Sequence, residues 1–224
     1  MSAPLARRAA HGYARAIPAT LAKPPVGRRT DLNPPRKNGA TEPQPHKFNV
    51  AEFYQLEELG FFLDGPRVEL LDGEIIEMPP PGPDHSGHVN SVSHLLFKKC
   101  GDKYLITSQN PVRLSDISEP QPDFAVVKFR ADFYTKAHPK PSDVLLLVEV
   151  SASSLRYDLA RKSDAYARAR IADYWVVDLN ARCVHVFSKP RAGKYTAQRI
   201  AQGGDALTAA GLPGISVRVS EMLI

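Results

Sequence analysis

Seven consecutive positions, VLLLVEV at 144–150, would form an unbroken apolar run but for one carboxylate, Glu149. A run of this kind reads as a central strand covered on both faces, and the other patterns can be set around it. Val50, Phe53, Leu56 and Leu59 recur at helical spacing behind Asn49, a residue suited to an N-cap. VELLDGEIIEM at 68–78 places Asp72-Gly73 between two apolar runs, the signature of a β-hairpin. The stiff connection PPPGPD leads into a second helix, whose face is marked by Val89, Val92, Leu95 and Leu96, then Lys99 or Cys100. KYLITSQNPVRLS predicts two short strands around Asn110-Pro111, and QPDFAVVKF predicts another. LRYDLARKSDAYARARI, rich in good helix formers, predicts one continuous helix. DYWVVDL, CVHVFSK and KYTAQRI follow as three strands, with Tyr174 and Trp175 expected in the core. No repeat of fixed period is present. The order predicts an α/β protein in the α+β sense: a mixed sheet flanked by few helices.

Composition changes this picture only at the N-terminal end. Residues 1–46 carry eight Lys/Arg against two Asp/Glu, and eight of the 20 prolines. They show no sustained apolar period, so a basic, disordered tail is expected there, with the folded domain over 47–224. That tail holds the positive excess, because the remaining residues carry 21 basic against 22 acidic side chains. Its charge suits a nucleic-acid-tethering arm or an Arg-rich targeting peptide, and a solvated extension with no specific role is the plainer reading. A secretory signal lacks its apolar core here. No stretch approaches the ~20 apolar residues of a membrane span. Cys100 and Cys183 lie far apart without metal-ligand spacing, so both are expected as reduced, buried thiols of a cytoplasmic protein.

The chemistry concentrates around Glu149. A charged carboxylate in a central strand costs several kcal/mol unless it is paired or binds a metal. Glu149 lies near the C-terminal end of its strand, where α/β sheets open onto ligand crevices. Asp123 follows Pro122 at the start of the apolar strand FAVV. Two carboxylates from neighbouring strands would repel without a cation between them, and Mg²⁺ suits such a pair. Lys162 stands four residues after Asp158 and four before Tyr166, on one helical face. The plainer reading of Asp158 and Lys162 is a surface ion pair worth a few tenths of a kcal/mol.

Four segments, VELLDGEIIEMPPPGPDH, QPDFAVV, LLLVEVSASSLRYDLARKSDAYARARIADYWVVD and LPGISVRVSEML, resemble the Uma2 family of the PD-(D/E)XK nuclease superfamily. The resemblance covers residues 48–224 and implies a restriction-endonuclease-like core that cleaves nucleic acid with Mg²⁺ or Mn²⁺. It implies Asp123 and Glu149 as metal-binding acids and Lys162 as a catalytic lysine moved from the strand to the next helix. It further implies Glu74 as an additional metal-binding acid and His85 as a catalytic histidine, with a hydrogen-bonding residue at the helix start as the equal alternative for His85. Glu69 or Glu77 could replace Glu74 if the hairpin faces the other way, and His88 and His94 read as ordinary helix residues. The chain departs from the family in reading EVSASS without a proline, and in carrying Arg170 where a helix-ending glycine is usual.

The resulting expectation is a metal-dependent endonuclease acting on phosphodiester bonds, with DNA as partner and a homodimer as the assembly. The competing readings are a nuclease-fold module that binds DNA or protein without cleaving, and a purely structural Glu149 paired with Arg113 or Lys162. Arg156, Arg161, Arg168 and Arg170 are expected on a solvated helix face.

Overall fold

The computed structural model describes residues 43–63 and 65–224. The disorder expected for 1–46 falls almost wholly outside them. Helix α1 (Val50–Glu58) begins at Asn49, whose side chain accepts the Glu52 N–H while the Glu52 carboxylate accepts the Asn49 N–H. This reciprocal capping box satisfies two helix-end donors. Val50 and Phe53 are buried, but the apolar stripe does not persist: Leu59, just past the helix end, is 78% exposed. Strands β1 (Arg67–Leu71) and β2 (Glu74–Met78) pair antiparallel through Asp72-Gly73, both with positive φ (54° and 76°). Two such residues form the tight turn whose twist matches the strands it joins.

Helix α2 (Pro83–Cys100) buries Val89, Val92, Leu95, Leu96 and Cys100, the face read from the spacing, together with His88. The main sheet has six strands in the order β3 (Tyr104–Ser108), β4 (Phe124–Lys128), β5 (Val144–Ser151), β6 (Asp173–Asp178), β7 (Cys183–Arg191) and β8 (Lys194–Gln202). Only β5 and β6 are parallel. One sheet face packs Val126, Leu146, Val148 and Val150 against α2, while the other packs Leu147, Val176 and Tyr174 against Tyr166 and Ala167. Trp175 and Tyr174 are both in the core. This is a mixed sheet with helices on both faces.

Two expectations are modified. Residues 112–114 are not a strand, because Pro111, Pro120 and Pro122 remove ladder donors. The segment closes instead into a loop held by Val112 N–H to Pro120 and Leu114 N–H to Ser118. The helix after β5 is not regular either: α3 (Leu155–Tyr157) and α4 (Ser163–Arg168) are joined by a π-helical turn, Asp158–Lys162.

Arg170 does not alter how that helix ends. It adopts φ 61°, with Arg170 N–H bonded to the Ala167 carbonyl and Ile171 N–H to that of Tyr166. That is the Schellman arrangement, built here without the glycine that adopts it freely. A left-handed non-glycine residue costs about 1 kcal/mol or more. Arg170→Gly is therefore expected to raise the unfolding free energy by about 1 kcal/mol in urea denaturation. A loss of stability instead would show that the arginine side chain contributes more than its backbone costs.

Candidate active site

The register of β4 on β5 creates the site. Phe124 opposes Val148, so Asp123, one residue earlier, comes to lie beside Glu149. Asp123 N–H donates to Glu149 Oε2 at 3.1 Å, and Val150 N–H donates to Asp123 Oδ2 at 2.9 Å. Asp123 Oδ1 accepts from Gln109 Nε2 at 3.3 Å and lies 3.5 Å from His85 Nε2, in the first turn of α2. Both acids are buried. They form part of the wall of a cleft of about 280 Å³ that also touches Arg67, His85, Asp158 and Lys162.

Lys162 is buried, not on the surface. Its Nζ donates to Glu149 Oε1 at 2.9 Å and lies 3.5 Å from Glu69 Oε2 and 3.9 Å from Asp158 Oδ1. The π-helical turn matters here: it begins at Asp158 and ends at Lys162, and both side chains project into the cluster. Tyr166 Oη donates to Glu149 Oε1 at 3.0 Å. The Ser151 and Ser154 hydroxyls donate to Asp158 Oδ2 at 2.7 and 2.6 Å.

The hairpin contributes Glu69. Its Oε2 accepts the Gln121 N–H and its Oε1 accepts the Tyr157 hydroxyl, both at 3.0 Å. Glu74 stands apart, half-exposed and bound by Lys47 at 2.6 Å and Arg161 at 2.7 Å. The two acids share a hairpin face, but Glu74 pairs with Leu71 beside the turn, whereas Glu69 sits two residues further from it. Arg113, the other cation considered for Glu149, pairs with Glu119 at 3.2 Å. Arg168 grips Asp72 through both carboxylate oxygens at 2.7 Å, so Arg161 and Arg168 tie the helix to the hairpin rather than face solvent freely.

Charge is unevenly balanced in this cluster. Burial pushes the Glu149 carboxyl up to about 8; Lys162 opposes that shift, and the neighbouring Asp158 and Asp123 add to it. Burial likewise raises Asp158. Asp123 is also pushed up by burial, but the His85 ring and the Val150 N–H outweigh this and hold it below the usual carboxylate range. His85 is raised mainly by its contact with Asp123. Burial disfavours the Lys162 ammonium, yet Glu149, Glu69 and Asp158 keep it well above its ordinary value, and so charged.

Four buried acids thus share one buried lysine and a half-buried histidine. The raised Glu149 pKa marks a carboxyl whose burial, with Asp158 and Asp123 beside it, outweighs the help that Lys162 gives to its charged form. The carboxylates offer hard oxygen donors, with the His85 ring nitrogen beside Asp123, and each carboxylate keeps lone pairs free after its hydrogen bonds. Such a set fits Mg²⁺ or Mn²⁺ held by Asp123 and Glu149.

The mixed sheet flanked by helices matches a nuclease of restriction-endonuclease-like fold, and here its inner strands bring together paired acids with a lysine on the following helix. The chain belongs to the Uma2 family, described as putative restriction endonuclease, whose model matches residues 50–220. The fold is similar to that of a putative nuclease belonging to DUF820 from Anabaena variabilis. That likeness has a TM-score of 0.60 at 14% identity, covering 78% of this chain and 97% of the other. A weaker likeness is to the type IIG restriction endonuclease BpuSI, with a TM-score of 0.34 at 17% identity, covering 62% of this chain and 14% of that one. No curated protein matches the chain. Family and fold together support a nuclease-like function. No helix among the described residues is long and apolar enough to cross a membrane.

Sequence reasoning did not single out Tyr157, Ser154, Gln109 or Gln121. Their signal is contact with the acids, which no spacing in the chain announces. Glu69 was visible only as one of two substitutes for Glu74.

Proposed function

We propose that the chain is a Mg²⁺- or Mn²⁺-dependent endonuclease hydrolysing phosphodiester bonds of DNA. The observation that carries this reading is the pairing of Asp123 with Glu149, both buried, in the wall of a cleft of about 280 Å³. When bound, the cation would polarise the phosphate and make a water a usable nucleophile near neutral pH.

The chain's own groups do the rest. Lys162 is the charged donor next to Glu149, placed to orient the attacking water or to meet charge developing on the phosphate. Glu69, Asp158 and Tyr157 position that ammonium. Burial and Glu149 hold the Tyr166 phenol well above its usual range, so it stays a donor and fixes the Glu149 rotamer. His85 steadies Asp123 from the first turn of α2, and Arg67 adds a positive charge at the cleft. Glu74 has no part in this reading, because its two cations hold it at the hairpin turn. Cutting both strands of a duplex with one cleft per chain calls for two copies, so a homodimer is the proposed assembly.

The test is calorimetric titration of Mn²⁺ and Mg²⁺ into the full chain beside Asp123→Asn and Glu149→Gln, followed by plasmid nicking. Binding and nicking are expected in the wild type and lost in both variants. Wild-type protein that binds no metal at millimolar concentration, with DNA present, would sink the catalytic reading. The near-neutral charge of residues 47–224 would then favour a nuclease-fold module that binds without cleaving.

A further inference from the structure

A second cluster of ligating side chains stands on the hairpin between β6 and β7. Asp178 is paired with Cys183 across the two strands, and His185 lies two residues beyond Cys183 on the same sheet face. Asp178 also neighbours Ser151 across β5–β6, which sets the cluster one strand away from Glu149. Asp178 and Cys183 are almost fully buried, at 4% and 2% exposure, while the His185 side chain keeps 19% and leaves a way in from solvent.

The three ligand atoms converge without satisfying one another. Asp178 Oδ1 accepts the N–H groups of Asn180 and Ala181, at 3.0 and 2.9 Å, which pins the carboxylate. Its Oδ2 is then 3.6 Å from His185 Nε2, too far for a hydrogen bond. Cys183 Sγ is 3.8 Å from the same nitrogen, at best a weak contact for a thiol. All three atoms lie within 4.8 Å of one another.

The two separations from His185 Nε2 come close to the edges of a small coordination polyhedron. With Zn–N and Zn–O near 2.1 Å and Zn–S near 2.3 Å, a tetrahedron has N···O edges of about 3.4 Å and N···S edges of about 3.6 Å. The two observed distances exceed these by only about 0.2 Å. Thiolate and imidazole select Zn²⁺, Co²⁺ or Cu²⁺ over Mg²⁺, so this thiol-containing set differs in chemistry from the carboxylate-rich cluster around Glu149.

We infer that Asp178, Cys183 and His185 form a three-ligand site for a zinc-class divalent cation, with a fourth position open to solvent. The site is separate from the acid cluster and stands whether or not that cluster cleaves nucleic acid. A metal here would clamp the β6–β7 turn and would require the Cys183 thiol to deprotonate on binding.

The experiment is titration of Co²⁺ into the reduced, chelator-treated full chain, followed by near-ultraviolet absorption. A thiolate-to-cobalt charge-transfer band is expected, saturating at one ion per chain and erased by Zn²⁺. The band should persist in Cys100→Ser and in the Asp123→Asn/Glu149→Gln double variant, and vanish in Cys183→Ser. His185→Asn, at a partly exposed position, should weaken binding by roughly tenfold or more, at least the loss seen when an outer-shell partner is removed. It serves as the deciding variant if Cys183→Ser does not fold. Folded wild type without a charge-transfer band would overturn the inference and leave a histidine–carboxylate pair with a neighbouring thiol. So would a band that survives in folded Cys183→Ser, or an affinity unchanged in His185→Asn.

Discussion

Lys162→Ala is expected to lower the unfolding free energy by about 3–5 kcal/mol at pH 8, measured by urea denaturation in chelator. Among the described residues the lysine is the one cation in direct contact with buried Glu149, and it also lies within 4 Å of Glu69 and Asp158. Removing it leaves three carboxylates in a site from which water is largely excluded. They must then either stay charged without compensation or take up protons. The loss should therefore shrink as pH is lowered toward 5, where protonation removes the uncompensated charge. A cost below about 1 kcal/mol at pH 8 would match a surface ion pair and would contradict the buried placement of Lys162.

The second large effect is the dependence of stability on pH in the absence of divalent metal. Glu149 has its folded pKa raised to about 8, against an ordinary value of 4.5. Between these values the folded chain retains a proton that the unfolded chain has released. Unfolding free energy must then fall as pH rises, by up to about 1.4 kcal/mol per pH unit for one group. His85, also raised, acts in the same direction: its stabilisation is complete below its unfolded pKa and is lost as pH climbs through the folded one. Asp158 is raised too and adds to the same trend. Asp123 is lowered, so its contribution is lost only in more acidic solution, below its unfolded value.

Stability in chelator is expected to drop by several kcal/mol between pH 5 and pH 8. Glu149→Gln should remove most of that slope. Added Mg²⁺ or Mn²⁺ should flatten it, because a cation favours the ionised carboxylates and its stabilising effect grows with pH. A wild type whose stability in chelator is flat or rising across this range would show that Glu149 is ionised without help.

Much of the fold was legible because it depends on local patterns. The VLLLVEV run, the Asn49 cap and the Asp72-Gly73 turn each carry their own physical signal, and each element formed where that signal stood. The nearness of Asp123 to Glu149 was readable for the same reason, since both lie at the ends of strongly apolar strands. How far along a hairpin or a helical turn a side chain comes to lie was not readable. Glu69 was expected to serve only if the hairpin faced the other way, yet it shares a face with Glu74, and only the pairing shows which of them reaches Lys162. The π-helical turn has no propensity of its own; good helix formers run straight through it. Cys183 was weighed against Cys100 alone, so its partners across the β6–β7 turn went unnoticed until the strands were paired.

The reciprocal bonds between the two acids have a further consequence. The Glu149 carboxylate holds the backbone of residue 123, and the Asp123 carboxylate holds the backbone of residue 150. The pair is thus the seam that closes the mouth of β4 and β5 as well as a candidate metal seat. Asparagine and glutamine can accept the same two N–H bonds while carrying no charge. A lineage could silence such a site by amide replacement and keep the sheet intact, whereas losing the side chains outright would unpick the seam. Inactive relatives with a sound fold should therefore be sought among amides at these two positions before alanines or glycines.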